Sequence, residues 1–231
     1  MRINAEEIDG IKCIKVDINK ISLAAKILAA NDQGGNRTII LSSFGLRSPI
    51  IREKVREHLP KDLKVLVIPF AGFNSEITAK REIDEGLLPF GFEKSNICVC
   101  GVSNIDAYKC MNFDLIYVPG GDQFKLLYEC QKNEMLGWIK QRITAGCRYF
   151  GVSAGADLAT SDLEYLKMVD ECNYELENFV GLKLINEKVL CHIDQRDWGV
   201  LQAVKDYDGR GVLFLKNNDV YIAKTGGMEY V

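Results

Sequence analysis

The sequence predicts an α/β domain: a doubly wound, mostly parallel sheet flanked by helices, with a C-terminal β-hairpin and an N-terminal strand-helix appendage. Three observations predict it. Short apolar runs alternate with helical patterns along most of the chain, the order that βαβ units require. Gly45, Gly72, Gly101 and Gly120 fall just past candidate strand ends, as loops gathered at one rim require. A Gly-x-Ser-x-Gly stretch, Gly151-Val152-Ser153-Ala154-Gly155, lies between a candidate strand and a candidate helix, the context of a nucleophile elbow.

The strands are predicted at 38–41, 64–68, 96–100, 114–118, 148–152, 188–193, 212–215 and 220–223. The first five alternate with helices and so belong to one parallel sheet, while the last two read as a closing hairpin. Helical patterns fall at 49–58, 76–88, 123–131, 134–145, 154–160 and 197–205. Ser48 followed by Pro49 is an N-cap with proline in the first turn. Residues 10–17 alternate like a strand, 21–30 look helical, and Gly34-Gly35 lies in a turn cluster at 31–36. The expected organisation is an appendage, 1–36, packed on a catalytic domain, 37–231.

A serine at the tip of a strand-to-helix turn sits in a strained backbone, and side chains at the flanking positions would collide. The turn lifts the hydroxyl clear of the sheet and leaves the first helical N–H groups open to an anion. The plainer reading is a helix-capping serine in a glycine-rich turn, so partners decide. The chain has only two histidines. His58 lies on the amphipathic pattern at 49–58 and reads as a solvated helix residue. His192 ends a buried strand pattern, Lys188-Val189-Leu190-Cys191, downstream of the serine, where a general base belongs. A base histidine needs an acceptor on its other ring nitrogen. Asp157, Asp162, Glu164, Asp170, Glu171, Glu175 and Glu177 all lie between the two, and spacing alone does not choose among them. Gly120-Gly121, directly after the apolar run Leu115-Ile116-Tyr117-Val118, is placed to present backbone N–H groups to an oxyanion.

These residues resemble the serine peptidases typified by peptidase E, an aspartyl dipeptidase, a family that includes cyanophycinase. Gly151-Val152-Ser153-Ala154-Gly155-Ala156 resembles the family's nucleophile motif, and Val118-Pro119-Gly120-Gly121-Asp122-Gln123-Phe124-Lys125-Leu126-Leu127 its glycine-rich segment. Val67-Ile68-Pro69-Phe70-Ala71-Gly72, Thr78-Ala79-Lys80 and Ile39-Ile40-Leu41-Ser42-Ser43 are similar to its amino-terminal region. The resemblance implies a flavodoxin-like, class I glutamine amidotransferase-like fold and hydrolysis of small peptides, Asp-Xaa dipeptides among them, through an acyl-enzyme. It implies Ser153 as nucleophile, His192 as base, Asp170 as triad acid with Glu171 in reserve, and Gly121 and Ala154 as oxyanion donors. Arg196 matches an arginine that holds the substrate's carboxylate in this family.

Several residues depart from the family pattern. Asp122 and Asp157 stand where asparagine is usual, and two extra carboxylates near the site would disfavour an acidic substrate side chain; Asp122 is thereby a candidate substrate contact. Leu215-Lys216-Asn217-Asn218-Asp219 lacks the acidic-glycine turn associated with the family there. Two other classes share the elbow: an α/β-hydrolase-type esterase or thioesterase, and a binding module without turnover.

Composition agrees with one sizeable core: 231 residues, 47% hydrophobic and 26% charged. A net charge of -3 gives no reason to expect nucleic acid or an anionic membrane as partner. No apolar run approaches the roughly 20 residues that span a bilayer, and Met1-Arg2-Ile3-Asn4-Ala5-Glu6-Glu7 is unlike a secretory signal. Eight scattered cysteines then read as reduced thiols of a cytoplasmic protein, monomer or homodimer. Cys98-Val99-Cys100 lacks the further ligands of a metal site, so no metal or organic cofactor is expected.

Overall fold

The computed structural model describes residues 37–224 and the strand backbones at 5–8, 11–14 and 227–230. It forms two compact units, Met1–Gly35 and Asn36–Val231. In the first, β1 (Ala5–Ile8) pairs antiparallel with β2 (Ile11–Ile14), in the register Ala5 to Ile14. The helix expected at 21–30 and the turn cluster at 31–36 lie outside the described residues.

The second unit is built on a seven-stranded sheet. Its parallel strands are β3 (Thr38–Ser42), β4 (Val65–Val67), β5 (Ile97–Val99), β6 (Leu115–Val118) and β7 (Arg148–Val152). All five fall on the runs read from the sequence. β8 (Lys188–Cys191) pairs in parallel with β9 (Val212–Leu215) in a separate two-stranded sheet. β10 (Val220–Lys224) returns to the main sheet, antiparallel to β3, and forms the closing hairpin with β11 (Gly227–Tyr230). The hairpin therefore lies one strand further along than the apolar runs suggested, because β9 is taken by β8.

The order β11-β10-β3-β7-β6-β4-β5 contains the flavodoxin-like arrangement β5-β4-β6-β7, with β3 added beside β7. The chain reverses direction across the sheet at β4, so the crevice outside the carboxyl ends of β4 and β6 is the natural ligand position. Central strands of such a sheet are covered on both faces and must be apolar throughout. Val65–Val67 and Leu115–Val118 are buried at every residue. Alternate residues feed two cores: Leu41, Ile116 and Tyr149 pack on one face, Ile40, Tyr117 and Phe150 on the other.

Helices lie between the strands: α1 (Pro49–Lys54), α2 (Ser75–Glu82), α3 (Leu88–Phe90), α4 (Ile105–Lys109), α5 (Gln123–Lys132), α6 (Met135–Thr144), α7 (Ala154–Leu158) and α8 (Trp198–Asp206). Ser48 caps α1, accepting from Ile51 N at 3.4 Å, and Asn74 caps α2, accepting from Glu76 N and Ile77 N. The continuous helix expected over 76–88 is interrupted by a π-helical turn at Ile83–Leu87. Pro89 has no N–H and its ring would strike the carbonyl four residues back in a regular helix; the wider turn relieves that clash.

Candidate active site

The elbow is built by close approach. A Cβ on Gly151 would lie 2.3 Å from Gly155 O, and one on Gly155 would lie 2.1 Å from Val118 O, so both flanking positions exclude any side chain. Between them Ser153 takes φ 49° and ψ -112°, a region that non-glycine residues enter only under constraint. Its N–H donates to Ser42 O at 2.9 Å, and its carbonyl accepts from Ala156 N and Asp157 N, which starts α7. The backbone strain is thus held by strands on both sides, with the hydroxyl at the carboxyl rim.

His192 meets it there. Ser153 Oγ lies 3.1 Å from His192 Nε2, and His192 Nδ1 lies 2.7 Å from Asn217 Oδ1. An amide oxygen only accepts, so Nδ1 carries the proton and Nε2 is left to accept from the serine hydroxyl. His192 itself is left-handed (φ 57°), and its N–H donates to Ser43 Oγ at 3.2 Å. Ser43 Oγ in turn donates to Leu215 O at 2.9 Å. One hydroxyl at the end of β3 therefore ties the histidine to the β9–β10 turn that carries Asn217. Phe44 stands edge-on to the imidazole, centroids 6.3 Å apart.

The acid implied by resemblance does not occupy this place. Asp170 is exposed, and its Oδ2 accepts from Gln123 Nε2 at 2.9 Å. Its N–H is held by Leu166 O in the turn after the 3-10 helix Glu164–Met168, while the histidine's free nitrogen faces the β9–β10 turn instead. Glu171 is exposed as well. Asn217 is the residue that sequence reasoning missed. Its signal was the missing acidic-glycine turn at 215–219, which marked the position without revealing that it faces His192.

The remaining candidates separate. Gly121 has φ 144° and a Cβ there would lie 2.3 Å from Ala71 O, while the following N–H, of Asp122, donates to that same oxygen at 2.9 Å. Among the described residues no acceptor meets Gly121 N–H, and Ala154 N–H, at the first position of α7, has no intrahelical partner. Two N–H groups beside Ser153 are thus open to an oxyanion. Asp122 caps α5, its Oδ1 accepting from Phe124 N and Lys125 N at 2.8 and 2.9 Å. Arg196 Nε donates to Cys191 O at 2.9 Å, and its positive charge acts on Asp157 without forming an ion pair with it.

Asp157 is buried, and its Oδ1 has no hydrogen-bond partner among the described residues. Burial pushes its carboxyl well above the usual carboxylate range, Arg196 opposing this and Asp170 adding to it. Neither extra carboxylate is therefore aimed at the substrate as the sequence suggested: Asp122 is turned onto the first N–H groups of α5, and Asp157 is buried in a setting that favours its protonated form. The sign of the pH effect follows. In the window above the ordinary carboxylate pKa, the native state keeps a proton that the unfolded chain has lost, so this group's contribution to stability falls as pH rises. Asp157→Asn is expected to gain on wild type by about 1–3 kcal/mol between pH 4 and pH 8. Urea unfolding at both pH values measures it, and an equal difference at both would refute the assignment.

The pocket against Ser153 has a volume of about 150 Å³. Besides Ser153, His192, Gly120 and Gly121, it is lined by Ser43, Val152, Arg47, Arg81 and Glu82. All the described cysteines are free thiols, and no group of three His, Cys, Asp or Glu among the described residues can hold a metal ion. No helix of the described residues is long and apolar enough to cross a membrane.

A serine elbow, a histidine on its hydroxyl and two unpaired N–H groups on a doubly wound sheet define a serine hydrolase site. Residues 39–229 match the model of Peptidase family S51, and the chain belongs to that family. An uncharacterized peptidase of Listeria monocytogenes is 28% identical over 164 residues, 67% of this chain and 78% of that protein. Peptidase E of Escherichia coli is 29% identical over 138 residues, 56% of this chain and 57% of that protein. An uncharacterized peptidase of Pasteurella multocida is 36% identical, but the match spans only 34% of this chain and 39% of that protein. Among solved structures, a peptidase from an acI-B1 actinobacterium superposes with a TM-score of 0.65 at 17% identity, covering 87% of this chain and 89% of that one. At that identity the likeness is one of fold.

Proposed function

We propose that this chain is a serine peptidase acting on small peptides through Ser153 and His192. The contact between Ser153 Oγ and His192 Nε2, 3.1 Å on a strained elbow, carries the reading. His192 takes the hydroxyl proton as Oγ attacks the scissile carbonyl, and the oxyanion is held by Gly121 N–H and Ala154 N–H. The protonated imidazole then gives its proton to the leaving amine, and water hydrolyses the acyl-enzyme. Asn217 orients the imidazole without supplying negative charge to it. Arg196 has no carboxylate within ion-pair reach among the described residues and is a candidate holder of a substrate carboxylate. Residues 1–36 are an appendage to this catalytic domain.

Asp-Xaa dipeptides are the first substrates to test. Amino-acid release from a dipeptide panel that includes them, compared between wild type and Ser153→Ala, decides the matter. Serine-dependent release is expected. Hydrolysis of short acyl esters in preference to every peptide would overturn the peptidase assignment and favour an esterase.

A further inference from the structure

We propose that Arg47 and Arg81 form a carboxylate-binding subsite beside Ser153, separate from Arg196, that draws one acidic group of the substrate into the pocket. This rests on the peptidase reading above. Both arginines line the same small pocket as Ser153 and His192. They reach it from different elements: Arg47 from the loop after β3, Arg81 from the last turn of α2.

The charges in this pocket do not cancel. Glu82 is the carboxylate that faces the two guanidinium groups, and it is almost wholly buried, at 1% exposure. Its Oε2 accepts from Tyr117 OH at 2.9 Å, and its Oε1 lies 2.9 Å from Arg47 Nε. Tyr117 OH also accepts from Leu46 N at 3.4 Å, so the carboxylate is enclosed by its own supports. Arg47 Nε, though close, does not point its N–H along that contact and remains without a hydrogen bond. Arg81 lies 4.0 Å from the same oxygen and is 47% exposed. One arginine suffices to neutralise a buried glutamate; the second, half-exposed, leaves a positive charge over at the mouth of the pocket. Burial also pushes the Glu82 carboxyl up from its ordinary value, with Arg47, Tyr117 and Arg81 pulling it back and the charge of Glu85 adding to the rise.

Arg47 is also fixed in place, with its guanidinium 4.8 Å from the Phe44 ring centroid; Phe44 is the ring that stands edge-on to His192. An enclosed guanidinium beside a half-exposed one suits a planar carboxylate, which can take N–H donors from both. The volume of about 150 Å³ lies below the roughly 300–1,000 Å³ of drug-sized sites and admits one short acidic side chain or a chain-terminal carboxylate. A lysine or arginine side chain of a substrate would meet repulsion there.

The test uses the full chain carrying Ser153→Ala, so that binding is read without turnover. Calorimetry compares Asp-Leu, Asn-Leu, Asp-Leu amide and Lys-Leu. Asp-Leu is expected to bind tenfold or more tightly than Asn-Leu if the side-chain carboxylate enters the pocket. A like loss for Asp-Leu amide instead would assign the pocket to the terminal carboxylate. Adding Arg81→Gln, or Arg47→Lys, which keeps a charge beside Glu82, should cut that discrimination by about tenfold. Equal discrimination in the variants, with unchanged circular dichroism, would overturn the subsite, as would failure of every peptide to bind. Wild type that cleaves peptides serine-dependently but ignores their charge would remove the subsite and leave the peptidase. Charge-selective binding without serine-dependent cleavage of any peptide would do the reverse.

Discussion

Replacing Ser153 by alanine is expected to lower kcat/KM for every cleaved peptide by on the order of 10⁴- to 10⁶-fold, with little change in stability. Among the described residues the hydroxyl makes one side-chain hydrogen bond, to His192 Nε2, and it carries no helix cap. Its loss therefore removes the nucleophile and nothing structural. Alanine also inherits the same backbone conformation at φ 49°, so the elbow's strain is the same before and after. Residual rate should remain above the uncatalysed reaction, because Gly121 N–H and Ala154 N–H still polarise the carbonyl. Steady-state kinetics with thermal unfolding on the same samples provides the check. A rate within tenfold of wild type would refute the nucleophile assignment.

Converting Asn217 to aspartate is expected to raise kcat/KM near neutral pH by about 10- to 100-fold, and Asn217→Ala to lower it by about 100-fold. The two changes separate orientation from charge. Asn217 Oδ1, 2.7 Å from Nδ1, already selects the tautomer that leaves Nε2 facing Ser153. Alanine abolishes that selection. Aspartate keeps it and adds a negative charge against the imidazolium that forms as the serine attacks. A carboxylate beside an imidazole favours its charged form, so the acidic limb of the pH–rate profile should move to higher pH in Asn217→Asp than in wild type. Unchanged rate and profile in both variants would show that Asn217 does not act on the base.

Arg47, Arg81 and Glu82 explain why composition revealed little about the substrate. Each lies in an ordinary surface-like pattern in sequence: Arg47 before a capped helix, Arg81 and Glu82 within a charged helical turn. Only the parallel sheet, which gathers the segments after β3, β4, β6 and β7 at one rim, turns them toward the serine. Asp122 and Asp157 show the opposite error. Both looked like charges delivered to the site, yet one bonds the first N–H groups of α5 and the other is buried on the inner face of α7. Proximity along the chain to a functional residue places a side chain near the site, and local hydrogen bonding or burial then decides what that side chain does.

What the sequence by itself determined is local. Apolar periodicity located the strands of the main sheet, because buried strands must be apolar over consecutive residues. The elbow was legible because Gly151 and Gly155 are demanded by contacts within a few residues and one neighbouring strand. His192 was legible because the chain offers so few histidines. The third member of the hydrogen-bonded chain from Ser153 through His192 was left to the tertiary structure. Asn217 lies 25 residues beyond His192, and Ser43, which ties that histidine to Leu215, lies 172 residues before Leu215. Such pairings depend on which strands become neighbours. β9 leaves the expected hairpin to pair with β8, and that single choice brings the β9–β10 turn, and not Asp170, to the histidine's second nitrogen.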